Sequence, residues 1–222
     1  MAMAKYRNKN QHREALSNKI HPKIFVWSHT KKAEIEYFQE FKNYFHAHLL
    51  MPKKKICGSP QGLIAHVIDW KNKGKIDEED NDQVWCIFDV DDFYQKNKKE
   101  LLQAIKNAHR NNIKVAYINE CFELWILLHF EMSTAQICRG NKIENKIQKT
   151  FKKNKLGEFK KNQKVFKILL PFQSEAIKNA RQLLSVEYNK IDWKNVLSEK
   201  GNPSTSIHFL IEEINKLVGG GK

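Results

Sequence analysis

Short apolar runs alternate, over the first 135 residues, with longer stretches whose apolar residues recur at helical spacing. Three of the runs have the length and composition of buried strands: KIFVWS (23–28), VWCIF (84–88) and KVAYI (114–118). Strands that alternate with helices in this way predict an α/β fold. We expect a parallel sheet, right-handed crossovers and helices on both faces of the sheet.

The helices of this part are predicted from apolar periodicity and from start and stop signals. They are an amphipathic stretch whose stripe reaches Leu49 (31–49), a segment with Ser59 as N-cap and Pro60 as first residue (59–74), the stretch around 101–108, and the Leu-rich segment 121–130.

Beyond residue 135 the chain becomes strongly basic and helical. Residues 142–167 contain ten lysines and two glutamates, with phenylalanines between them that we expect to pack rather than to stack on bases. Further helices are predicted at 174–186 and 203–218. We predict three parts: a basic N-terminal arm (1–22), an α/β core (23–135), and a basic helical extension packed on that core (136–222).

Composition describes a globular protein, with 41% apolar and 29% charged residues in 222. No apolar run reaches the roughly 18–20 residues that span a bilayer, and the N-terminus lacks the apolar segment of a secretory signal. The four cysteines have no CxxC spacing, which argues against a zinc site and a disulfide framework. These features predict a cytoplasmic protein with no membrane partner.

The net charge of +14 favours a polyanionic partner, nucleic acid before membrane. The alternative is a basic surface that serves only solubility. Lysines of the basic stretch are the candidate nucleic-acid-binding residues: Lys146, Lys149, Lys152, Lys153, Lys155, Lys160, Lys161 and Lys164.

Two carboxylates follow the second predicted strand, at Asp89 and Asp91. Ligands of open parallel sheets bind beyond the carboxyl ends of the strands. Residues two apart in an extended chain point to the same side, so both carboxylates could reach one point there. Hard oxygen donors suit Mg²⁺ or Mn²⁺. The alternative is that the acidic residues, Asp92 included, cap the helix that follows.

Further candidates follow the other two strands. His29 comes directly after the first strand and can transfer protons near neutral pH. Glu34 lies one turn later, where an exposed helix residue is the alternative. Glu123 stands in an apolar helix, where a carboxylate needs a metal or a partner such as a lysine. His129 is interpreted as a core histidine.

A polar segment near the C-terminus precedes the last predicted helix. Asn202, Ser204 and Thr205 could cap that helix with its N-terminus facing a phosphate. A plain capped helix is the favoured interpretation.

Five segments, in this order, resemble the RloB-like family, which includes the AbiLii abortive-infection proteins: AEIEYF, VWCIFDVDDF, CFELWILLHF, GEFKKN and NPSTSIHFLIEEI. The resemblance covers residues 23–217. It implies a Toprim-like nuclease domain, a role in anti-phage defence and an ATPase partner. It also implies that Asp89 and Asp91 are the metal carboxylates and that Glu123 lies near the same site.

The chain departs from the family pattern after two strands. The pattern Glu-Gly-x-x-Thr-Glu-x-x-Tyr-Phe, aligned on residues 37–38, has His29 in place of its first Glu and Glu34 at its second. The usual Ser-Asn-Pro after the third strand retains only Asn119. Either the site is rebuilt around His29 and nearby glutamates, or metal-dependent cleavage is weakened or lost.

The leading prediction is a defence nuclease that uses Mg²⁺ or Mn²⁺, with RNA, and tRNA in particular, favoured over DNA by analogy with toxic effectors that halt translation. His29, Glu34, Asp89, Asp91 and Glu123 are its candidate catalytic residues. A metal-independent RNA cleavage led by His29 and lysines also fits. The other classes are a degenerate domain that binds nucleic acid or regulates an ATPase complex, and a DNA nuclease.

Overall fold

Strands and helices alternate through most of the chain in the computed structural model. The structure describes residues 22–29, 33–47, 49–51, 59–74, 76, 80–90, 92–119, 121–134, 142–160, 163–198 and 201–219, without the side chains of 92–96. The predicted N-terminal arm lies almost entirely outside the described residues.

The described strands form one sheet in the order β2-β1-β3-β4-β5. They are β1 (Ile24–Ser28), β2 (Leu49–Leu50), β3 (Gln83–Asp89), β4 (Ile113–Asn119) and β5 (Ser204–Thr205). The first four are parallel, and β5 runs antiparallel to β4. The three predicted strands are therefore confirmed, while β2 and β5, each two residues long, were missed by the sequence.

Nine α-helices accompany the sheet in the described part of the chain. They are α1 (Ala33–Phe45), α2 (Pro60–Asn72), α3 (Asp92–Arg110), α4 (Glu123–Leu128), α5 (Lys142–Lys153), α6 (Phe166–Leu169), α7 (Gln173–Leu183), α8 (Trp193–Val196) and α9 (Ile207–Gly219). The predicted cap of α2 is confirmed, since Ser59 Oγ accepts a hydrogen bond from the Gly62 N–H at 3.1 Å. None of these helices combines the length and apolar character needed to cross a bilayer.

Two apolar clusters bury the two faces of the sheet. One contains Tyr37 and Phe38 of α1 together with residues of α4, α5, α7 and α9. The other contains residues of α2 and α3. Because both faces are covered, the central strands are apolar almost throughout. This arrangement confirms the predicted α/β class. Helices of the predicted extension (136–222) pack in the same cluster as α1 and the sheet. The domain boundaries stay predictions.

The order in which successive strands are added to the sheet reverses between β1 and β3. Helix α1 leads from β1 to β2 on one face, and α2 precedes β3 on the other face, so β1 has successive strands on both sides. In open α/β sheets, such a switch leaves a crevice beyond the carboxyl ends of the two strands, and ligands bind there. The residues that follow β1 and end β3 are His29 and Asp89.

The prediction that the first helix reaches Leu49 is wrong. Helix α1 ends at Phe45, and His46 takes a left-handed conformation with φ of 50°. The Ala47 N–H then donates to the Lys42 carbonyl at 3.2 Å, a bond that closes many helix C-termini. Leu49 begins β2 and pairs with Ile24.

The prediction that the last helix starts at residue 203 is also wrong. Ser204 and Thr205 form the antiparallel edge strand, and α9 begins at Ile207. Thr205 Oγ1 donates to the Tyr117 carbonyl at 2.8 Å, and Ser204 Oγ accepts from the Tyr117 hydroxyl at 3.1 Å. Both side chains are buried, so these hydroxyls attach the segment to β4 instead of facing a phosphate.

Candidate functional site at the carboxyl edge of the sheet

Asp89 is the last residue of the central strand β3 and is partly buried. Successive side chains of a strand point to opposite faces, so Asp89 faces the same side as Ile87. Ile87 packs in the cluster that contains Tyr37 of α1. The carboxylate of Asp89 therefore lies on the α1 side of the sheet edge.

His29 lies on the other side of this edge. Its backbone N–H donates to the Ile87 carbonyl at 3.4 Å, which continues the pairing of β1 with β3. Its ring stands edge-on to Phe88, with centroids 6.3 Å apart. Phe88 packs in the cluster that contains α2 and α3. His29 and Asp89 are thus neighbours along the edge, and the pleat of the sheet places them on opposite faces.

Two glutamates lie on the same face as Asp89. Glu34 is in the first turn of α1 and is only 3% exposed. Glu123 is the first residue of α4, whose following five residues are buried in the α1-side cluster. The helix that carries Glu123 is buried, as expected, and the Glu123 side chain is itself partly buried in its first turn. Its charge there suits the positive end of the helix dipole.

The donor chemistry of this edge fits a hard divalent cation, because carboxylate oxygens are the ligands that Mg²⁺ and Mn²⁺ prefer. The number of donors is smaller than a complete site needs. Within the ranges that the structure describes, no three His, Cys, Asp or Glu side chains come close enough to share an ion. Asp91, the other predicted metal carboxylate, lies outside these ranges.

Asn119 attaches the segment that follows α8 to the carboxyl end of β4, and it was not among the predicted site residues. It ends β4 and is fully buried. Its amide nitrogen donates to the Val196 carbonyl at 3.1 Å and to the Gly201 carbonyl at 3.0 Å. No described residue offers a hydrogen-bond donor to its Oδ1. The signal that could have found it is the single Asn that the chain retains from the family pattern after β4.

We expect Asn119→Ala to destabilise the fold by about 2–3 kcal/mol, because two buried carbonyls would lose their donor. Asn154→Ala is the matched control, since Asn154 also donates its amide to a carbonyl, at 2.9 Å, and is exposed. Urea unfolding of the three proteins measures the difference. Equal, small losses in both variants would contradict the role of Asn119.

His129 belongs to the core, as the sequence predicts. It is 1% exposed, and its Nδ1 lies 2.8 Å from the Trp125 carbonyl, so this nitrogen carries the proton. Burial lowers the pKa of the imidazole to about 4. The ring is neutral at pH 7 and faces Trp125 edge-on at 4.9 Å.

Most of the predicted nucleic-acid-binding lysines are exposed. Lys149, Lys152 and Lys153 lie on the outer side of α5. Exposed lysines continue the surface beyond the helix: Lys155, Lys160 and Lys164. Lys146 differs, because it forms an ion pair with Glu131 at 2.7 Å. Lys161 lies outside the described residues.

The phenylalanines of the basic stretch pack in the core, as predicted. Phe151 and Phe166 are fully buried, and Phe159 rests on Phe151 with ring centroids 5.4 Å apart. The exposed aromatic residue of this surface is instead Tyr44, near the end of α1, which the candidate list did not include.

Comparison with known proteins agrees with the family resemblance. The family described as RloB-like protein matches residues 24–214. No curated protein and no solved structure matches the chain. Since the match covers all five strands and extends into the last helix, the chain belongs to the RloB-like protein family.

Proposed function

We propose that this protein is a nuclease of phage defence that cleaves RNA with the help of a divalent cation. Membership of the RloB-like family suggests a defence-associated Toprim-like protein, which is the starting point of the proposal. The observation that carries it is the position of Asp89, a partly buried carboxylate at the end of the central strand, next to the crevice where the strand order reverses.

The carboxylates would hold the ion. Asp89 and Asp91 supply two donors, and Glu34 and Glu123 lie on the same face of the edge as Asp89. The chemistry that Mg²⁺ or Mn²⁺ would supply there is charge neutralisation for a phosphodiester and polarisation of a water molecule. His29 lies at the same edge on the opposite face of the sheet, so it would donate or accept a proton for a substrate that crosses the edge between β1 and β3.

The lysine surface would hold the substrate. Exposed lysines on α5 and in the segment after it present a run of positive charge, which supports binding to the phosphate backbone. Such binding is independent of sequence, so cleavage sites would be selected at the carboxyl edge. RNA remains the favoured substrate class over DNA.

A direct test is incubation of the purified full chain with total RNA and with plasmid DNA, in Mg²⁺, Mn²⁺ or EDTA. We expect RNA fragments with either metal and intact RNA in EDTA, because chelation removes the ion. Fragmentation that persists in EDTA contradicts metal dependence and favours cleavage led by His29. Consumption of plasmid alone identifies a DNA nuclease.

A second candidate function is a nucleic-acid-binding or regulatory subunit of an ATPase defence complex. Two observations favour it: His29 stands where the family pattern has Glu, and no three potential ligands converge within the described residues. Binding of RNA without cleavage under every condition, with the partner ATPase added, would support this function.

A further inference from the structure

A cleft beside the end of α1 combines an exposed aromatic ring with two lysines. It is lined by Glu40, Asn43 and Tyr44 of α1 and by Lys164 and Lys167 of the facing segment. Its volume is about 390 Å³, within the range of roughly 300–1,000 Å³ common for small-ligand pockets. Tyr44 is 50% exposed, the largest exposed fraction among the large apolar side chains of the described residues.

The ring of Tyr44 packs against two phenylalanine rings. Phe45 contacts it edge-on, with centroids 4.9 Å apart, and the buried Phe166 lies 5.9 Å away. These contacts pack one side of the tyrosine while half of its surface remains open to solvent. An aromatic ring that is packed on one side and open on the other is a platform on which an unpaired base can stack.

The charges of the cleft favour an anion. Lys164 and Lys167 form no ion pair with any residue that the structure describes. Glu40 is the opposing charge, and its Oε2 accepts a hydrogen bond from the Phe166 backbone N–H at 3.3 Å. Two lysines against one carboxylate leave a net positive charge beside the ring. Phosphates that flank a stacked base would complement it.

We propose that this cleft binds one nucleotide of a single-stranded nucleic acid, with the base stacked on Tyr44 and the adjoining phosphates paired with Lys164 and Lys167. The inference rests on the proposed function and adds to it the strandedness of the substrate. A duplex cannot use the site, because its bases are already stacked on each other.

The cleft is separate from the carboxyl edge. Helix α1 starts near that edge and runs back toward the start of β2, and Tyr44 lies about 16 Å along the helix axis from Ala33. A strand that reaches from the cleft to Asp89 must therefore contain several nucleotides. Contacts at Tyr44 would hold the substrate at a distance from the reacting phosphate.

Binding of labelled oligouridine, roughly 12 nucleotides long, measured in EDTA so that the probe stays intact, tests the proposal. We expect Tyr44→Ala to weaken single-strand binding roughly 5- to 150-fold. Tyr44→Phe should bind like the unaltered protein, because its ring still stacks. Tyr44→Leu should lose binding like Tyr44→Ala while it preserves apolar packing on Phe166. Duplex RNA of the same length should bind all four proteins equally.

The charge contribution has its own comparison. Single-strand binding is measured at several salt concentrations for the double variant Lys164→Gln, Lys167→Gln. We expect the slope of log K against log salt to become shallower by an amount that corresponds to about two phosphate contacts. Its control is Lys99→Gln, Lys106→Gln, since both lysines are exposed on α3, which packs on the opposite face of the sheet. Val186→Ala is the control for Tyr44→Ala, because Val186 is another exposed apolar residue, with 41% of its surface accessible.

The outcomes separate this inference from the proposed function. If the unaltered protein binds oligouridine and Tyr44→Ala binds it equally well, the cleft is not a base-stacking site, and the nuclease proposal stands. Equal weakening for duplex and single strand also overturns stacking. If the unaltered protein binds no RNA at all, the proposed function fails together with the inference.

Discussion

Replacement of Asp89 by Asn is expected to lower RNA cleavage at least about 100-fold, while RNA binding in EDTA stays unchanged. The substitution keeps the size of the side chain and removes only its charge. Asp89 ends β3 and is partly buried at the sheet edge, so the central strand fixes the position of its carboxylate. A neutral amide is a poor substitute for carboxylate toward a hard cation.

The control for this variant is Asp69→Asn. Asp69 is an exposed acid of α2 whose carboxylate pairs with Lys73 at 2.6 Å, so it loses the same charge away from the edge. Gel analysis of RNA fragments with Mg²⁺ and with Mn²⁺ measures the effect. Full activity in Asp89→Asn, or in the double variant Asp89→Ala, Asp91→Ala, would reject the metal-dependent mechanism.

The same assay separates the two proposals for the chemistry. His29 packs against Phe88 on the opposite face of the sheet from Asp89. Substitution of one residue therefore leaves the surroundings of the other unchanged. Loss of activity in His29→Ala, with full activity in Asp89→Asn, would indicate cleavage led by the histidine without an ion.

The sequence predicted the parts of the fold that depend on local signals. β3 and β4 are found from their apolar runs because both of their faces are buried. α2 is found because Ser59 and Pro60 meet the steric and hydrogen-bonding needs of a helix start. The position of Asp89 follows from the end of β3, which an apolar run ending in a carboxylate defines well.

The parts that were missed depend on residues far apart in the chain. Ser204 and Thr205 are too short a run to indicate a strand from sequence, and hydrogen bonds between their hydroxyls and Tyr117 attach them to β4. Tyr44 lies three residues after the buried Phe41, so helical periodicity places it on the apolar stripe. It is exposed because the core ends before α1 does.

The sequence could not predict on which face of the sheet each candidate side chain lies, for a related reason. A one-residue difference between the ends of β1 and β3 decides whether His29 and Asp89 share a face, and strand pairing sets that register. The sequence placed both residues at one edge of the sheet. It could not show that Glu34 and Glu123, and not His29, lie on the Asp89 side.

Mild acid is expected to destabilise the protein strongly, because two histidines are buried as neutral rings. Burial lowers the pKa of His129 to about 4. Burial, and then the charge of Arg181, lower the pKa of His208 to about 4, and a backbone contact at Thr205 opposes this only in part. His208 is fully buried and lies against the Phe209 ring, with centroids 4.0 Å apart.

The direction of the effect follows from proton uptake. An unfolded chain protonates these imidazoles near pH 6.5, whereas the folded chain does so only near pH 4. Between these values the unfolded state binds more protons, so the free energy of unfolding falls as the pH falls from about 6.5 to about 4. Each ring contributes roughly 3 kcal/mol to this loss, which together is comparable to the whole stability of a marginal domain.

Urea unfolding at several pH values between 7.5 and about 5.5 tests this expectation, since that window lies roughly one pH unit above the ordinary pKa of carboxylates. His208→Phe should keep the stability of the unaltered protein within about 1 kcal/mol at pH 7.5 and should remove about half of its pH dependence. His46→Asn is the control, because His46 is exposed and Asn tolerates its left-handed conformation. If the free energy of unfolding depends on pH as steeply in His208→Phe as in His46→Asn, the His208 ring does not stay neutral in the fold.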